Sequence, residues 1–146
     1  IAFSDSKTGA ASSTLLAVVR NGSVVGSIST TNVATAYNTS SDVVLKEDFK
    51  GFSGLSLVSQ LNPVDFRWKS SKSRDYGFIA QEVYKVLPTV VTPGTATTHW
   101  SMDYGRITPV LVAAIQEQQK EIEMLRALLI AIAICFPLSF LVKRYG

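Results

Sequence analysis

Residues 111–136 read LVAAIQEQQKEIEMLRALLIAIAICF. Within this stretch one set of positions, apolar apart from a single glutamine, recurs at alternating spacings of four and three. The set is Leu111, Ile115, Gln118, Ile122, Leu125, Leu129, Ile132 and Phe136. Such spacing forms the seam of a coiled coil, and a polar residue in the seam helps to fix register and strand number. The pattern predicts one long helix beyond Pro109 whose seam meets other copies of the chain; the alternative is an amphipathic helix packed on its own domain.

The C-terminal tail is apolar from residue 127 to residue 142 apart from Ser139, and Lys143 and Arg144 follow. A helix of this length rises about 24 Å, which is less than the ~30 Å hydrocarbon core of a bilayer. Pro137 would also kink it. A buried trimer core and a membrane-inserted helix both fit the tail, and the basic pair at its end favours membrane contact through residues 127–142.

The N-terminal part predicts a β-hairpin followed by a linker. Asn21-Gly22 lies between two β-rich runs, 15–19 and 24–28, and this dipeptide is the strongest short hairpin signal. Because two strands bury too little surface to be stable alone, the hairpin needs a partner surface. Residues 29–42 are dominated by Ser, Thr, Asn and Ala, which predicts an exposed linker.

The middle of the chain predicts a small mixed domain. Residues 46–61 suggest a short helix interrupted by Gly51 and Gly54. Alternation at Val64, Phe66 and Trp68 predicts a half-buried strand, and we expect these aromatic residues, with Phe78 and Ile79, to serve packing rather than binding. Later elements are a returning strand at 76–79, a helix at 81–86, a loop at 93–98 and a short strand at 100–104.

These patterns predict an α+β fold, with an N-terminal β-hairpin and a small mixed domain followed by a long C-terminal helix that forms a coiled coil; that this coiled coil is trimeric is implied by the resemblance described below. The predicted divisions are the end of an upstream fibre or linker with the hairpin, a globular part, a coiled-coil helix and an apolar tail. They span 1–41, 42–106, 107–126 and 127–146.

Composition excludes several classes of function. The 146 residues have a formal net charge of +3, but the 14 basic residues are dispersed, which argues against binding of nucleic acid. The single cysteine, Cys135, excludes an intrachain disulfide. His99 has no partner at metal-ligand spacing, so neither a metal site nor a cofactor is expected. No signal peptide is visible and Ile1 is not a natural start, so we expect a longer precursor.

The residues that could support chemistry lie at the end of the predicted linker, in Ser40-Ser41-Asp42-Val43-Val44-Leu45-Lys46. A serine hydroxyl needs a base to remove its proton. Lys46 can act as that base only when uncharged, a state that burial beside Leu45, Phe49 or Phe52 would favour. The alternative is an exposed linker in which Asp42 caps the start of a helix.

Several runs along the chain resemble the intramolecular chaperone domain of phage tail fibre, tailspike and endosialidase proteins. They are RNGSVVGSI at 20–28, AYNTSSD at 36–42 with Leu45-Lys46, LNPV at 61–64, FRWK at 66–69, GFIAQEV at 77–83 and IQEQQ at 115–119. The same domain occurs in myelin regulatory factor-like proteins, where a transmembrane helix follows. The resemblance implies a homotrimer that chaperones the upstream fibre or spike of its own chain, a virion tail precursor assembled in the host cytoplasm, and self-cleavage at a serine.

The resemblance also implies the roles of single residues. Ser41 would be the nucleophile and Lys46 the general base of a single-turnover serine peptidase. The usual pattern is Ser-Asp-x-Arg-x-Lys, and this chain has Val44 in place of the arginine, which puts cleavage in question more than trimerisation. The implied cut is Ser41-Asp42, with Ser40-Ser41 the next candidate and attack from another protomer a third route. Alternatives are a non-cleaving trimeric tip, a membrane-anchored trimerisation module, or a membrane-released regulator.

Overall fold

The computed structural model describes the backbone of residues 13–145 and the side chains of residues 13–134. The chain divides into two compact units, with the boundary between Lys50 and Gly51. The expectations for Cys135, Phe136 and Pro137, and for the lead-in at residues 1–12, lie outside what is described. The two units are considered separately below.

The first unit is an antiparallel three-stranded sheet in the order β1-β2-β3. Its strands are β1 Ser13–Arg20, β2 Ser23–Thr30 and β3 Thr35–Thr39. Between β1 and β2, Asn21 and Gly22 have φ values of 51° and 79°, and a two-residue turn of type I′ requires positive φ at both positions. The predicted hairpin is confirmed, and both strands are longer than the sequence indicated.

The third strand corrects the prediction of a linker over residues 29–42. Residues Thr35–Thr39 pair with β2, and the Asn38 side chain donates hydrogen bonds to Ser27 Oγ at 3.1 Å and to Ser29 Oγ at 2.9 Å. Backbone pairing and polar cross-strand contacts stabilise this strand, so no apolar periodicity marks it in the sequence.

The second unit alternates short strands and helices before one long helix. The predicted helix at 46–61 is wrong in extent, since only Gly54–Val58 is α-helical. Ser53 ends the preceding irregular segment, because its hydroxyl accepts the Ser56 N–H at 3.2 Å and so caps the helix. The elements are α1 Gly54–Val58, β4 Val64–Arg67, β5 Arg74–Gly77, α2 Ala80–Val86, β6 Val91–Thr92, β7 Ser101–Met102 and α3 Thr108–Tyr145.

The strands of this unit form two separate antiparallel pairs, β4 with β5 and β6 with β7. The half-buried strand predicted from Val64 is confirmed, with alternate residues partly buried. A small core joins α2, the 3₁₀ turn Pro88–Val90, β6 and the start of α3. Its buried members are Val83, Leu87, Val90, Val91, Ile107 and Val110.

The long helix α3 uses one face within its own unit and leaves the predicted seam exposed. Val110 and Ala114 are buried, as is Ile107 in the 3₁₀ turn that precedes α3. By contrast, Ile115 is 63% exposed, and Leu111, Ile122, Leu125 and Leu129 are exposed too. The start of α3 therefore packs on its own unit, as the alternative of an amphipathic helix expected, whereas these seam positions are not covered by it. Within the described part, no helix combines the length and the apolar character needed to cross a membrane.

Candidate functional site

The segment that contains Ser41 and Lys46 follows directly from β3. Ser40 ties its start to the sheet, because its N–H donates to the Val25 carbonyl and its hydroxyl to the Val24 carbonyl, both at 3.3 Å. The chain then forms a 3₁₀ turn over Val43–Leu45. Asp42 caps this turn through Oδ1, which accepts the Val44 N–H at 3.0 Å. The capping role predicted for Asp42 is thus present, on a single turn rather than on a longer helix.

The turn brings the two predicted catalytic side chains together. The N–H of Lys46 donates to the Val43 carbonyl at 3.0 Å, which folds the chain back after Asp42. At the end of its side chain, Lys46 Nζ donates to Ser41 Oγ at 2.8 Å. A spacing of five residues therefore becomes direct contact between an amine and a hydroxyl.

The surroundings of this pair differ from the expectation of burial. Lys46 is exposed, and the apolar residues beside it in sequence are exposed as well, with Val44 at 81% and Phe49 at 72%. The burial beside Leu45, Phe49 or Phe52 that would favour an uncharged Lys46 is therefore not seen in the described part of a single chain. The physical reason is that the 3₁₀ turn follows a polar strand end, and no apolar element of its own unit covers it.

Backbone donors are available near Ser41. The Val44 and Leu45 amides are engaged by Asp42, through its side chain and its carbonyl. Among the described residues, the amides of Asp42 and Val43 have no hydrogen-bond partner. Two adjacent free N–H groups are the kind of donor that stabilises a developing oxyanion.

The part of the chain that the structure describes contains no candidate metal site. No group of three or more His, Cys, Asp and Glu side chains there could hold an ion. His99 lies in the second unit, where it lines a cleft described next.

The second unit contains a cleft that sequence reasoning assigned to packing. It has a volume of about 900 Å³, and Phe66, Trp68 and Phe78 line it together with Trp100 and Tyr104. These aromatic residues are partly or largely exposed rather than buried. The alternation at 64–68 predicted one apolar strand face correctly, but the opposite wall comes from residues 95–104. A pattern within one strand cannot reveal such a distant wall.

Comparison with known protein families finds a match over part of the chain. Residues 41–92 match the family model Peptidase_S74, described as chaperone of endosialidase. The matched segment begins at Ser41, includes Lys46 and ends with β6. A search of the curated proteins found no match.

Proposed function

We propose, because residues 41–92 match the family model described as chaperone of endosialidase, that this chain trimerises an upstream fibre or spike domain of its own precursor and then releases itself by cutting near Ser41. The observation that supports this proposal most directly is the 2.8 Å contact between Lys46 Nζ and Ser41 Oγ, at the first residue of the matched segment. The precursor would be a virion tail component assembled in the host cytoplasm.

Trimerisation is assigned to α3. Leu111, Ile115 and Ile122 are exposed on a face that the chain's own core does not use, and a row of exposed apolar side chains at heptad spacing is what helices of different chains bury together. Joining three chains at α3 would bring their upstream segments into register. This lowers the entropy cost of starting an intertwined fold, because the chain ends that must meet are already close.

Cleavage is assigned to the Ser41 and Lys46 pair. An uncharged Lys46 amine takes the proton of the Ser41 hydroxyl as Oγ attacks a backbone carbonyl carbon. The carbonyl oxygen becomes an oxyanion, which the Asp42 and Val43 N–H groups are available to stabilise. As the C–N bond breaks, the lysine returns its proton to the departing amine, and water then hydrolyses the ester on Oγ. Protons balance, and no cofactor takes part.

The bond that is cut depends on which carbonyl the hydroxyl reaches. Attack of Ser41 Oγ on its own carbonyl, which would cut Ser41-Asp42, closes a strained four-membered ring. Attack on the carbonyl of Ser40 passes through a five-membered ring. Ser41-Asp42 remains the proposed cleavage site. Its carbonyl is therefore best attacked by the Ser41 hydroxyl of another protomer, which avoids the strained ring.

We expect cleavage to follow assembly of the trimer, because assembly would change the surroundings of Lys46. In the single chain Lys46 is exposed to water, and a lysine must be uncharged to accept a proton. The exposed Val43, Val44, Leu45 and Phe49 beside it are apolar surface that a neighbouring chain can cover. Covering them would desolvate the amine and connect catalysis to trimer formation.

The proposal is tested by mass spectrometry of the purified chain. A polypeptide cut after residue 40 or residue 41 supports self-cleavage, and the mass distinguishes the two bonds. Sedimentation of the same sample measures the oligomeric state.

A second candidate is a permanent trimeric tip or anchor that does not cut itself. Val44 favours it, because the related pattern has an arginine there and the valine side chain is 81% exposed without replacing that charge. An intact chain that sediments as a trimer would establish this candidate in place of the first.

A further inference from the structure

The aromatic cleft of the second unit lies beside the unpaired edges of two strands. Among the residues that the structure describes, β4 pairs only with β5, and β7 only with β6. Residues from β4 and β7 line the cleft, whereas none from β5 or β6 does. On the β4 side the lining includes Val64, Asp65 and Phe66 in succession. Because neighbouring side chains of a strand point to opposite faces, consecutive lining residues indicate that the cleft meets a strand edge.

The hydrogen-bond pattern shows which backbone groups this edge offers. Trp68 N–H donates to the Ser73 carbonyl at 2.9 Å, so alternate residues from Trp68 back to Val64 point their backbone groups toward β5. Asp65 lies between them and points its N–H and carbonyl away from β5. By the same argument, Asp103 N–H donates to the Val90 carbonyl at 2.8 Å, so Met102 points its backbone groups away from β6.

The walls of the cleft contain one ion pair and no other carboxylate, lysine or arginine. Asp65 is the one carboxylate among the lining residues, and Arg74 neutralises it with Nη2 at 2.8 Å from Oδ2 and with a bond from Nε to Oδ1 at 3.1 Å. No lysine or arginine lines the cleft. The remaining polar groups are the hydroxyls of Thr95, Thr98, Ser101 and Tyr104, the Gln81 amide and the His99 imidazole. Away from the Asp65–Arg74 pair and the His99 ring, a charged ligand would lose hydration without gaining a partner.

We propose that this cleft binds an extended, uncharged segment of another polypeptide as an added β-strand. The free N–H and carbonyl groups of Asp65 and Met102 would pair with its backbone, as in other cases where a peptide extends a sheet edge. Its side chains alternate between apolar groups, which contact Trp68 and Trp100, and hydroxyl groups, which reach the threonine and glutamine side chains. The inference concerns the second unit alone and holds whether or not Ser41 is cut.

Intrinsic fluorescence tests the proposal directly, because the two tryptophans of the chain, Trp68 and Trp100, both line the cleft. The probe is a capped Thr-Val-Thr-Val-Thr-Val-Thr peptide, titrated into the full chain. Two comparison ligands are the same peptide N-methylated at alternate residues and the same peptide with lysine in place of valine. A neutral oligosaccharide, maltohexaose, is the third, since aromatic rings beside hydroxyl groups also suit sugars.

We expect saturable binding of the neutral peptide, with binding of the N-methylated form weakened by roughly tenfold or more through lost backbone hydrogen bonds. Hydrogen exchange of the Asp65 and Met102 amides should slow when the neutral peptide is bound. Equal binding of both peptides, tighter binding of the lysine peptide, exchange that does not change at either amide, or a response to maltohexaose alone would each overturn the proposal.

Discussion

Glu117 on α3 accepts a hydrogen bond from the backbone N–H of Leu55 on α1, at 2.9 Å and across 62 residues of sequence. The same carboxylate accepts the Gly54 N–H and the Ser53 hydroxyl, each at 3.0 Å. A negative charge thus rests on the N-terminus of a short helix whose first amides have no partner within the helix. The contact attaches α1 to the N-terminal third of α3.

The Glu117 contact predicts a stability that depends on pH. The pKa of Glu117 is lowered from its ordinary value of 4.5, chiefly by the hydrogen bond from Leu55, while desolvation opposes the shift. Because the folded state favours the ionised form, the contribution of Glu117 to stability is complete above about pH 4.5 and is lost as pH falls through the folded pKa. Glu117→Gln should therefore lower the melting temperature at pH 7, and this deficit should shrink as pH falls below about 4.5.

The matched control for this prediction is Glu121→Gln, one helical turn further along α3, on a carboxylate without a hydrogen bond to α1. Thermal melts followed by circular dichroism at both pH values give the comparison. If the two variants lose the same stability at pH 7, or if the Glu117→Gln deficit persists at pH 3, the role of the charge is wrong.

Gly54 predicts a steric effect on the same contact. A Cβ added there would lie 2.6 Å from the Val110 carbonyl oxygen and 2.7 Å from the Ala113 carbonyl carbon, both rigid backbone atoms of α3. Gly54→Ala should therefore push α1 off α3 and destabilise the unit by about 1–3 kcal/mol. Gly51→Ala is the control, because nothing lies within 4 Å of its added Cβ. Urea unfolding measures both, and similar midpoints for the two variants would contradict the close approach.

The Ser41 and Lys46 pair predicts which substitutions stop cleavage. Ser41→Ala removes the nucleophile, Lys46→Ala removes the base, and Lys46→Arg keeps a charge that cannot be given up. Each should slow the cut by roughly 10²–10⁴-fold or more, as loss of a general base does. Ser40→Ala is the matched control, since its hydroxyl bonds the Val24 carbonyl and not Lys46. Gel mobility and intact mass over time provide the readout.

A cut that persists at the same rate in Ser41→Ala or in Lys46→Arg would exclude the substituted residue from the chemistry. Sedimentation of each variant should still give a trimer, which separates a catalytic effect from a failure to assemble.

The exposed seam of α3 predicts the determinants of assembly. Ile115→Asp places a carboxylate in the apolar seam of every chain, where three like charges would be brought together and desolvated. We expect the trimer to dissociate at micromolar concentration in equilibrium sedimentation. Gln116→Asp adds the same charge one position away, off the seam, and should leave the trimer intact. Dissociation of both variants, or of neither, would place the interface elsewhere.

Local signals in the sequence predicted the elements that local chemistry determines. The Asn21-Gly22 turn, the alternation at Val64 and the long helix after Pro109 all follow from neighbours a few residues apart. The strand at 35–39 was missed because its stability comes from pairing with β2 and from Asn38, neither of which leaves a periodic pattern.

The contacts of the candidate sites also differ in whether they join residues that are close in the sequence or far apart in it. Ser41 and Lys46 meet through a single turn, so five residues of sequence were enough to suggest them. The exposure of Lys46 could not be predicted, because burial depends on which surfaces the rest of the molecule supplies. Glu117 and the aromatic cleft join residues from distant parts of the chain, and one sequence contains no signal for such a meeting.

The span between α1 and Glu117 has a consequence for the order of events during translation. A ribosome that adds about 5–20 residues per second incorporates Leu55 roughly 3–12 seconds before it incorporates Glu117, which is 62 residues further along the chain. For that interval the nascent α1 has no docking partner, and an isolated helix of five residues does not persist in water. This part of the molecule therefore acquires its native arrangement only after synthesis has passed residue 117.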